Sequence, residues 1–168
     1  MRKHGEPLHP AVLTLEEIIL RFGREKRNAQ RVVFTNGCFD LLHPGHIESL
    51  ETARSFGDVL IVGINSDASV RALKGPGRPV LPAEERAEIL ASLECVDAVL
   101  VFDEPTPQRV IAALLPDLLV KGEDGPGNRI VGRKEVDAAG GKAVRVEVGE
   151  GYSTSQMLRK IRGAGRQS

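Results

Sequence analysis

Two histidines stand three residues apart in the segment from Thr35 to Leu50, TNGCFDLLHPGHIESL. The segment follows an apolar run, RVVFT, that is typical of a β-strand, and His43-Pro44-Gly45-His46 leads into a helical pattern. Side chains three residues apart at a helix start point to one side, so both imidazoles can donate to the same ligand. The positive end of the helix dipole favours an anion there. The spacing therefore predicts a phosphate site with His43 and His46 as donors.

The glycines of this segment do not follow the common phosphate-binding fingerprints. Gly37 and Gly45 are its two glycines, so the dinucleotide motif G-x-G-x-x-G and the P-loop are both absent. Gly37 allows close backbone approach, and Gly45 leaves room between the histidines. Zinc is an alternative ligand, because Cys38, His43 and His46 are three potential donors. Their spacing matches no common zinc pattern, so we expect no resident metal and interpret Cys38 as a small buried filler.

A nucleoside triphosphate at this site would allow a simple transfer reaction. A phosphate monoester as acceptor is already an anion and needs no general base. Catalysis then reduces to positioning and to neutralising the charge that grows on departing pyrophosphate. Taken singly, either histidine is equally well explained as a helix cap or a satisfied surface group, whereas the pair with Gly45 between them favours function.

Composition excludes several classes of protein. The 168 residues suit one domain. Lys and Arg number 23 and Asp and Glu 23, so there is no net basic field to attract nucleic acid or an anionic membrane. The first residues, MRKHGEPLHP, lack the apolar core of a secretory signal, and Cys38 and Cys95 are the only cysteines. No apolar run approaches the roughly 20 residues that span a bilayer. We therefore expect a cytoplasmic protein with neither nucleic-acid nor membrane partners.

Strand and helix patterns alternate along most of the chain. After an N-terminal helix with a capping box from Thr14 to Glu17, five apolar runs predict strands: RVVFT, DVLIVGI, DAVLVF, DLLVKG and AVRVEV. Between them lie the helical patterns HIESLETARSF, PAEERAEILASL with Pro82 in its first turn, and TPQRVIAALL with Thr106 as its cap and Pro107 behind it. The alternation predicts an α/β fold with a Rossmann-like, mostly parallel sheet and helices on both faces.

Ligands in such sheets bind beyond the carboxyl ends of the strands. Asn65 and Asp67 follow the second strand at this edge, and Lys121 ends the fourth. Arg86 has a local argument, because it shares a helix face with Leu90 four residues on and therefore points toward the core. A core-facing arginine either snorkels to water or serves an anion, and we favour the anion.

The motif TNGCFDLLHPGH resembles the HxGH signature of the cytidylyltransferase-like nucleotidyltransferases. Beyond it, GINSDASVRALKGPGRPVLPAEERAEIL, LECVDAVLVFDEPTPQRVIAALLPDLLVKGED and GYSTSQMLRKI resemble, in order, the D-glycero-β-D-manno-heptose 1-phosphate adenylyltransferases. The resemblance covers roughly Leu13 to Ile161. It implies a single nucleotidyltransferase domain over residues 31–163, with a helical extension over residues 1–30 and a flexible tail over residues 164–168.

The implied reaction joins ATP and heptose 1-phosphate to give ADP-heptose and pyrophosphate, with Mg²⁺ on the phosphates, for the inner core of lipopolysaccharide. The implied partners are a nucleotide, a sugar phosphate and a second copy of the chain in a homodimer. Matching positions give three groups of site residues. They are the catalytic His43, His46, Lys74 and Arg86; the nucleotide-binding Asn36, Gly37, Cys38, Phe39, Asp40, Gly45, Lys121, Gly122, Ser153, Thr154 and Ser155; and the substrate-binding Asn65, Asp67, Arg78, Pro79, Glu123 and Asp124.

One loop departs from the family pattern. After the lysine and glycine of DLLVKG, the family usually has a second glycine, an aspartate and an aromatic residue, whereas this chain has Glu123, Asp124 and Gly125. The change removes one stacking surface from the site. Motifs alone do not separate ATP from CTP. A transferase for another phosphorylated alcohol, such as glycerol 3-phosphate, and a non-catalytic nucleotide-binding sensor are the alternative functions.

Overall fold

Five parallel strands form the centre of the structure, a computed structural model that describes residues 9–122, 129–146 and 152–164. They lie in the order β3-β2-β1-β4-β5. The chain runs outward from β1 to β3 on one side and then returns to β4 beside β1. The change of direction leaves a crevice at the carboxyl ends of β1 and β4, where open α/β sheets bind ligands. The strands are β1 (Val32–Gly37), β2 (Val59–Asn65), β3 (Ala98–Phe102), β4 (Leu118–Gly122) and β5 (Lys142–Val146).

Helices cover both faces of the sheet. Within the described residues they are α1 (Leu15–Phe22), α2 (Pro44–Ser55), α3 (Asp67–Lys74), α4 (Ala83–Ala91), α5 (Gln108–Leu114), α6 (Arg133–Ala138) and α7 (Thr154–Ala164). One core joins α1, α5 and α6 to the first face, and a second joins α2 and α4 to the other. The predicted α/β fold is therefore confirmed. None of these helices has the length and apolar composition needed to cross a membrane.

The N-terminal helix begins as its sequence predicts. The Glu17 backbone N–H donates to the hydroxyl of Thr14 at 3.2 Å, and the Thr14 N–H donates to the Glu17 carboxylate at 2.8 Å. Ile18 of α1 is fully buried against the sheet, and Val12 forms a bridge to Val99 of β3. The division of the chain at residues 30 and 163 stays a prediction.

Some local predictions were wrong. Thr106 does not cap α5, because the carbonyl of Pro107 accepts the first helical hydrogen bond, from Ile111 at 2.9 Å, and the helix begins one residue later. Pro82 is likewise the N-cap of α4 and not part of its first turn. The sequence reading also missed α3 and α6, which span eight and six residues and are too short for a clear periodicity.

We predict that Leu119→Ala lowers the free energy of unfolding by about 2 to 5 kcal/mol, because it leaves a cavity in a rigid core. Leu119 lies on β4 and is 1% exposed. Urea unfolding measures the change. The matched control is Leu20→Ala on α1, at a side chain 70% exposed, where we expect a change within about 0.5 kcal/mol. Equal losses at the two positions would contradict the assignment of Leu119 to the core.

Candidate active site

A cavity of about 700 Å³ opens at the carboxyl edge of the sheet. Its described lining carries five Lys or Arg side chains, two histidines and one carboxylate. The chain as a whole has no net charge, so positive charge is concentrated in the cavity. Such a surface suits a ligand with several negative charges. The charged and histidine lining residues are Asp40, His43, His46, Lys74, Arg78, Lys121, Arg129 and Arg145.

The loop between β1 and α2 has an unusual backbone. Phe39 and Leu41 adopt φ angles of 47° and 59°, in the left-handed region that large side chains rarely occupy. Strain of this kind persists where the surroundings hold the chain in a functional shape. At Gly37 an added Cβ would lie 3.0 Å from the Phe39 ring. The glycine therefore lets the loop fold back over the end of β1.

Four rings contact one another in series at the start of α2. The imidazoles of His43 and His46 stack with centroids 3.7 Å apart, Phe39 lies 5.4 Å from His46, and Tyr152 lies 6.0 Å from His43. Two protonated imidazoles this close repel each other, and an anion beside them would relieve the repulsion. The His43 N–H donates to Nδ1 of His46 at 3.4 Å. A neutral His46 therefore carries its proton on Nε2, as a hydrogen-bond donor.

Asp40 joins three segments around the cavity. Its carboxylate accepts from Arg78 Nε at 2.6 Å and from the backbone N–H groups of Val80 and Leu81 at 2.9 and 3.1 Å. Its carbonyl accepts from the Thr154 hydroxyl at 3.0 Å. Burial alone would raise the pKa of Asp40, but the two backbone N–H groups and Arg78 outweigh it and hold the pKa below its usual range. Asp40 therefore acts as a structural anion.

Arg86, which we expected to serve a ligand anion, makes its described hydrogen bonds to protein groups. Its side chain is fully buried and is not part of the described cavity lining. The guanidinium donates to the carbonyls of Cys38 at 2.6 Å, Asn65 at 2.9 Å and Leu81 at 3.0 Å, and to the Asp67 carboxylate at 2.7 Å. A guanidinium that donates to four protein acceptors holds these segments together beside the cavity. This arrangement favours a positioning role for Arg86, and its catalytic role stays a prediction.

The structure brings most of the predicted site residues together. In the lining, Lys121 Nζ donates to the Asn36 carbonyl at 3.4 Å, and the buried Asn65 amide donates to Ser69 at 2.9 Å. Glu123 and Asp124 lie outside the described residues. The described lining does not include Gly45, Asp67, Pro79 or Arg86, and it includes, besides the charged residues, Asn36, Gly37, Cys38, Phe39, Asn65, Gly122, Ser153, Thr154 and Ser155.

Sequence reasoning missed several lining residues. Ser49 lies three residues after His46 on α2, and its hydroxyl is buried with no hydrogen-bond partner among the described residues. Arg129 and Arg145 also line the cavity. A basic side chain inside the apolar run AVRVEV was the signal for Arg145.

Across residues 9–122, 129–146 and 152–164, no three His, Cys, Asp or Glu side chains group as metal ligands.

Comparison with known proteins now identifies the family. The family model of the cytidylyltransferase-like proteins matches residues 34–157. The chain belongs to the cytidylyltransferase-like family. The match runs from β1 into α7, so the described cavity lining of this cytidylyltransferase-like protein falls within the matched residues.

Individual relatives agree with this assignment. The chain is 54% identical over 160 residues to "Bifunctional protein HldE" of Geotalea uraniireducens, which is 95% of this chain and 33% of the relative. It is 50% identical over 155 residues to the protein of the same name from Helicobacter pylori, covering 92% and 32%. The chain thus spans about a third of these relatives. The lipopolysaccharide core biosynthesis protein of Thermoplasma volcanium shares the fold at a TM-score of 0.62 and 22% identity, over 74% of this chain and all of that one.

We predict that Asp40→Asn lowers the free energy of unfolding by about 2 kcal/mol at neutral pH, because an amide cannot accept from three donors without a clash. The folded pKa of Asp40 lies below its unfolded value, so its stabilisation is complete above about pH 4 and is lost as pH falls through the folded pKa. Urea unfolding of both proteins from pH 7 downward measures the difference.

The matched control is Asp103→Asn, at an exposed aspartate just after β3. We expect a change within about 0.5 kcal/mol at neutral pH. A difference between the parent chain and Asp40→Asn that stayed constant down to about pH 2 would show that ionised Asp40 does not hold the loop.

Proposed function

We propose that the chain is an adenylyltransferase that joins ATP and D-glycero-β-D-manno-heptose 1-phosphate. The products are ADP-heptose, for the inner core of lipopolysaccharide, and pyrophosphate. The observation that carries the proposal is the stacked pair of His43 and His46 at the start of α2, within a cavity lined by five Lys or Arg side chains. A cytoplasmic location and a homodimer stay predictions.

The triphosphate lies, in this proposal, between the starts of two helices. His43 and His46 begin α2, and Ser153 and Thr154 begin α7, on another side of the same cavity. Both helix dipoles favour negative charge at these ends. His46 Nε2 donates to the phosphates, and the charge that grows on pyrophosphate in the transition state strengthens that bond. The acceptor phosphate attacks as an anion, so no side chain has to remove a proton.

Mg²⁺ enters the proposal as part of the nucleotide substrate. The described lining offers one carboxylate, Asp40, whose oxygens already accept from Arg78, Val80 and Leu81. Mg²⁺ prefers oxygen ligands and is commonly bound through substrate phosphates. The ion would neutralise charge on the triphosphate, while the side chains of the cavity bind and orient the substrates.

The identity of the acceptor rests on sequence likeness. The segment NSDASVRALKGPGRPV resembles the heptose 1-phosphate adenylyltransferases, and relatives named HldE are about half identical over most of this chain. In support, Asn65, Lys74 and Arg78 of this segment line the cavity. Lys74 ends α3, before a turn in which Gly75 and Gly77 have positive φ and open space around them. Such a turn leaves Lys74 room to approach a bound phosphate.

We predict pyrophosphate release when the purified chain receives ATP, Mg²⁺ and heptose 1-phosphate. The comparison substrates are CTP in place of ATP, and glycerol 3-phosphate and hexose 1-phosphates in place of the heptose. Equal or greater release with CTP and glycerol 3-phosphate would show that the proposal names the wrong substrates. Tight ATP binding without pyrophosphate release for any acceptor would indicate a sensor.

We predict that His46→Ala lowers kcat about 10²-fold or more and leaves the fold intact, because one preorganised donor to the developing charge is lost. The matched control is His9→Ala, at a histidine outside the described cavity lining, with a rate within about twofold of the parent. Circular dichroism and thermal unfolding check the fold. An unchanged kcat for His46→Ala would remove the catalytic role of this residue.

A further inference from the structure

Tyr152 is an aromatic side chain beside the histidine pair that the sequence analysis did not assign. It precedes α7 by two residues, and its ring stacks on the imidazole of His43, with centroids 6.0 Å apart and planes 15° from parallel. Offset-stacked aromatic rings have centroids in this range of distances. Tyr152 is not part of the described cavity lining, whereas His43 is. The tyrosine therefore contacts the site through the imidazole.

Stacking fixes the plane of an imidazole ring. The two ring nitrogens lie in that plane, so the plane sets the directions in which the N–H groups donate. His43 stacks on His46 with centroids 3.7 Å apart and planes 19° from parallel, and Tyr152 adds a second nearly parallel ring. The neighbouring rings therefore determine which way the donors of His43 point.

The backbone alone does not orient the side chain of His43. This residue is the N-cap of α2, with an extended conformation of φ −139° and ψ 166°, and it therefore lies outside the regular turns that place His46. The outer side-chain torsion of histidine is broad and allows the ring to turn. A ring packed on the imidazole restricts that rotation, so Tyr152 supplies a constraint that the helix does not.

The segments that carry the outer rings of the series are joined to each other. Thr154, two residues after Tyr152, donates its hydroxyl to the Asp40 carbonyl at 3.0 Å and so attaches the start of α7 to the β1–α2 loop. Phe39 of the same loop contacts His46, with ring centroids 5.4 Å apart. The loop and the start of α7 therefore place one aromatic ring beside each imidazole of the pair.

We propose that Tyr152 is a positioning residue that holds the His43 imidazole in the plane from which it donates to the triphosphate; this inference rests on the proposed function. Negative charge grows on the departing pyrophosphate in the transition state, so a donor that is fixed in advance contributes most there. The described contact with His43 is made by the ring of the tyrosine. A phenylalanine ring should therefore replace it, and an aliphatic side chain should not.

The kinetic test compares Tyr152→Leu, which removes the aromatic ring, with Tyr152→Phe, which keeps it. Pyrophosphate release at saturating heptose 1-phosphate gives kcat and the KM for ATP. We expect Tyr152→Leu to lower kcat about tenfold or more and to leave the KM for ATP within about threefold, because an interaction needed in the transition state is lost. We expect both constants of Tyr152→Phe to stay within about twofold of the parent. The matched control is Ile161→Ala, at a side chain of α7 that is 64% exposed, with both constants unchanged.

Nuclear magnetic resonance tests the ring contact without turnover. The chain has four histidines and one tyrosine, and the signal of His43 is identified by its loss in His43→Gln. An aromatic ring shifts the resonances of protons that lie above its face. We expect the ring-proton resonance of His43 to move in Tyr152→Leu and to stay close to its parent position in Tyr152→Phe and Ile161→Ala. In the parent chain, a nuclear Overhauser effect between the two rings checks the contact without any substitution.

Three results would overturn the inference. One is a kcat for Tyr152→Leu within about twofold of the parent, or an equal loss of kcat in Tyr152→Phe. Another is a raised KM for ATP with an unchanged kcat, because Tyr152 would then serve substrate binding. The third is an unmoved His43 resonance in Tyr152→Leu, or no Overhauser effect between the rings in the parent chain.

Absence of pyrophosphate release from the parent chain would refute the proposed function alone. The ring signal of His43 then tests the inference in a titration with ATP and Mg²⁺. A change of this signal in the parent and in Tyr152→Phe that is smaller in Tyr152→Leu would support a positioning role. Equal changes in all three proteins, or no change in the parent, would overturn it.

Discussion

The buried guanidinium of Arg86 holds together the parts from which the cavity is built. It donates to the β1–α2 loop at Cys38, to the end of β2 at Asn65 and to the loop before α4 at Leu81. A buried charge is stable only when it is paired and its donors are satisfied, and Asp67 at the start of α3 supplies the counter-charge. These segments are distant in sequence and all three contribute a carbonyl to this one group, so the shape of the active-site edge depends on it.

Asp40 has the opposite charge and a similar task. Its carboxylate fixes Arg78, Val80 and Leu81, and its carbonyl receives the Thr154 hydroxyl from α7. Both buried ions therefore attach to the loop that follows Lys74. The strained backbone at Phe39 lies between Cys38 and Asp40, and that at Leu41 directly follows Asp40, so contacts at Cys38 and Asp40 hold its shape. Asp40 and Arg86, which their sequence positions suggest as ligand-binding groups, form the hydrogen bonds that fix the loops around the cavity.

The hydrogen bonds of Arg86 and Asp40 help to explain which of the predicted residues line the cavity, while their roles stay predictions. Asn36, Asn65, Lys121 and the two histidines were predicted at the cavity from their side-chain type and their position at or just after a strand end. They do line it, because parallel strands bring their carboxyl ends to one edge of the sheet. The same reasoning put Arg86 and Asp67 in the cavity, because a sequence does not show which side a guanidinium faces or that a carboxylate 19 residues away will meet it. Arg129 and Arg145 were missed for the converse reason, because their position at the cavity depends on how distant segments pack together.

The sequence by itself determined the alternating α/β pattern, the capping box at Thr14 and the HPGH start of α2, because each depends on local periodicity or on groups a few residues apart. The tertiary structure alone decided the strand order, and with it the pairing of Lys121 with Arg145 and the burial of Arg86. It also decided that positive charge gathers in a chain of zero net charge. Those features arise from contacts between distant segments, and the energy of a buried ion is set by its surroundings in three dimensions.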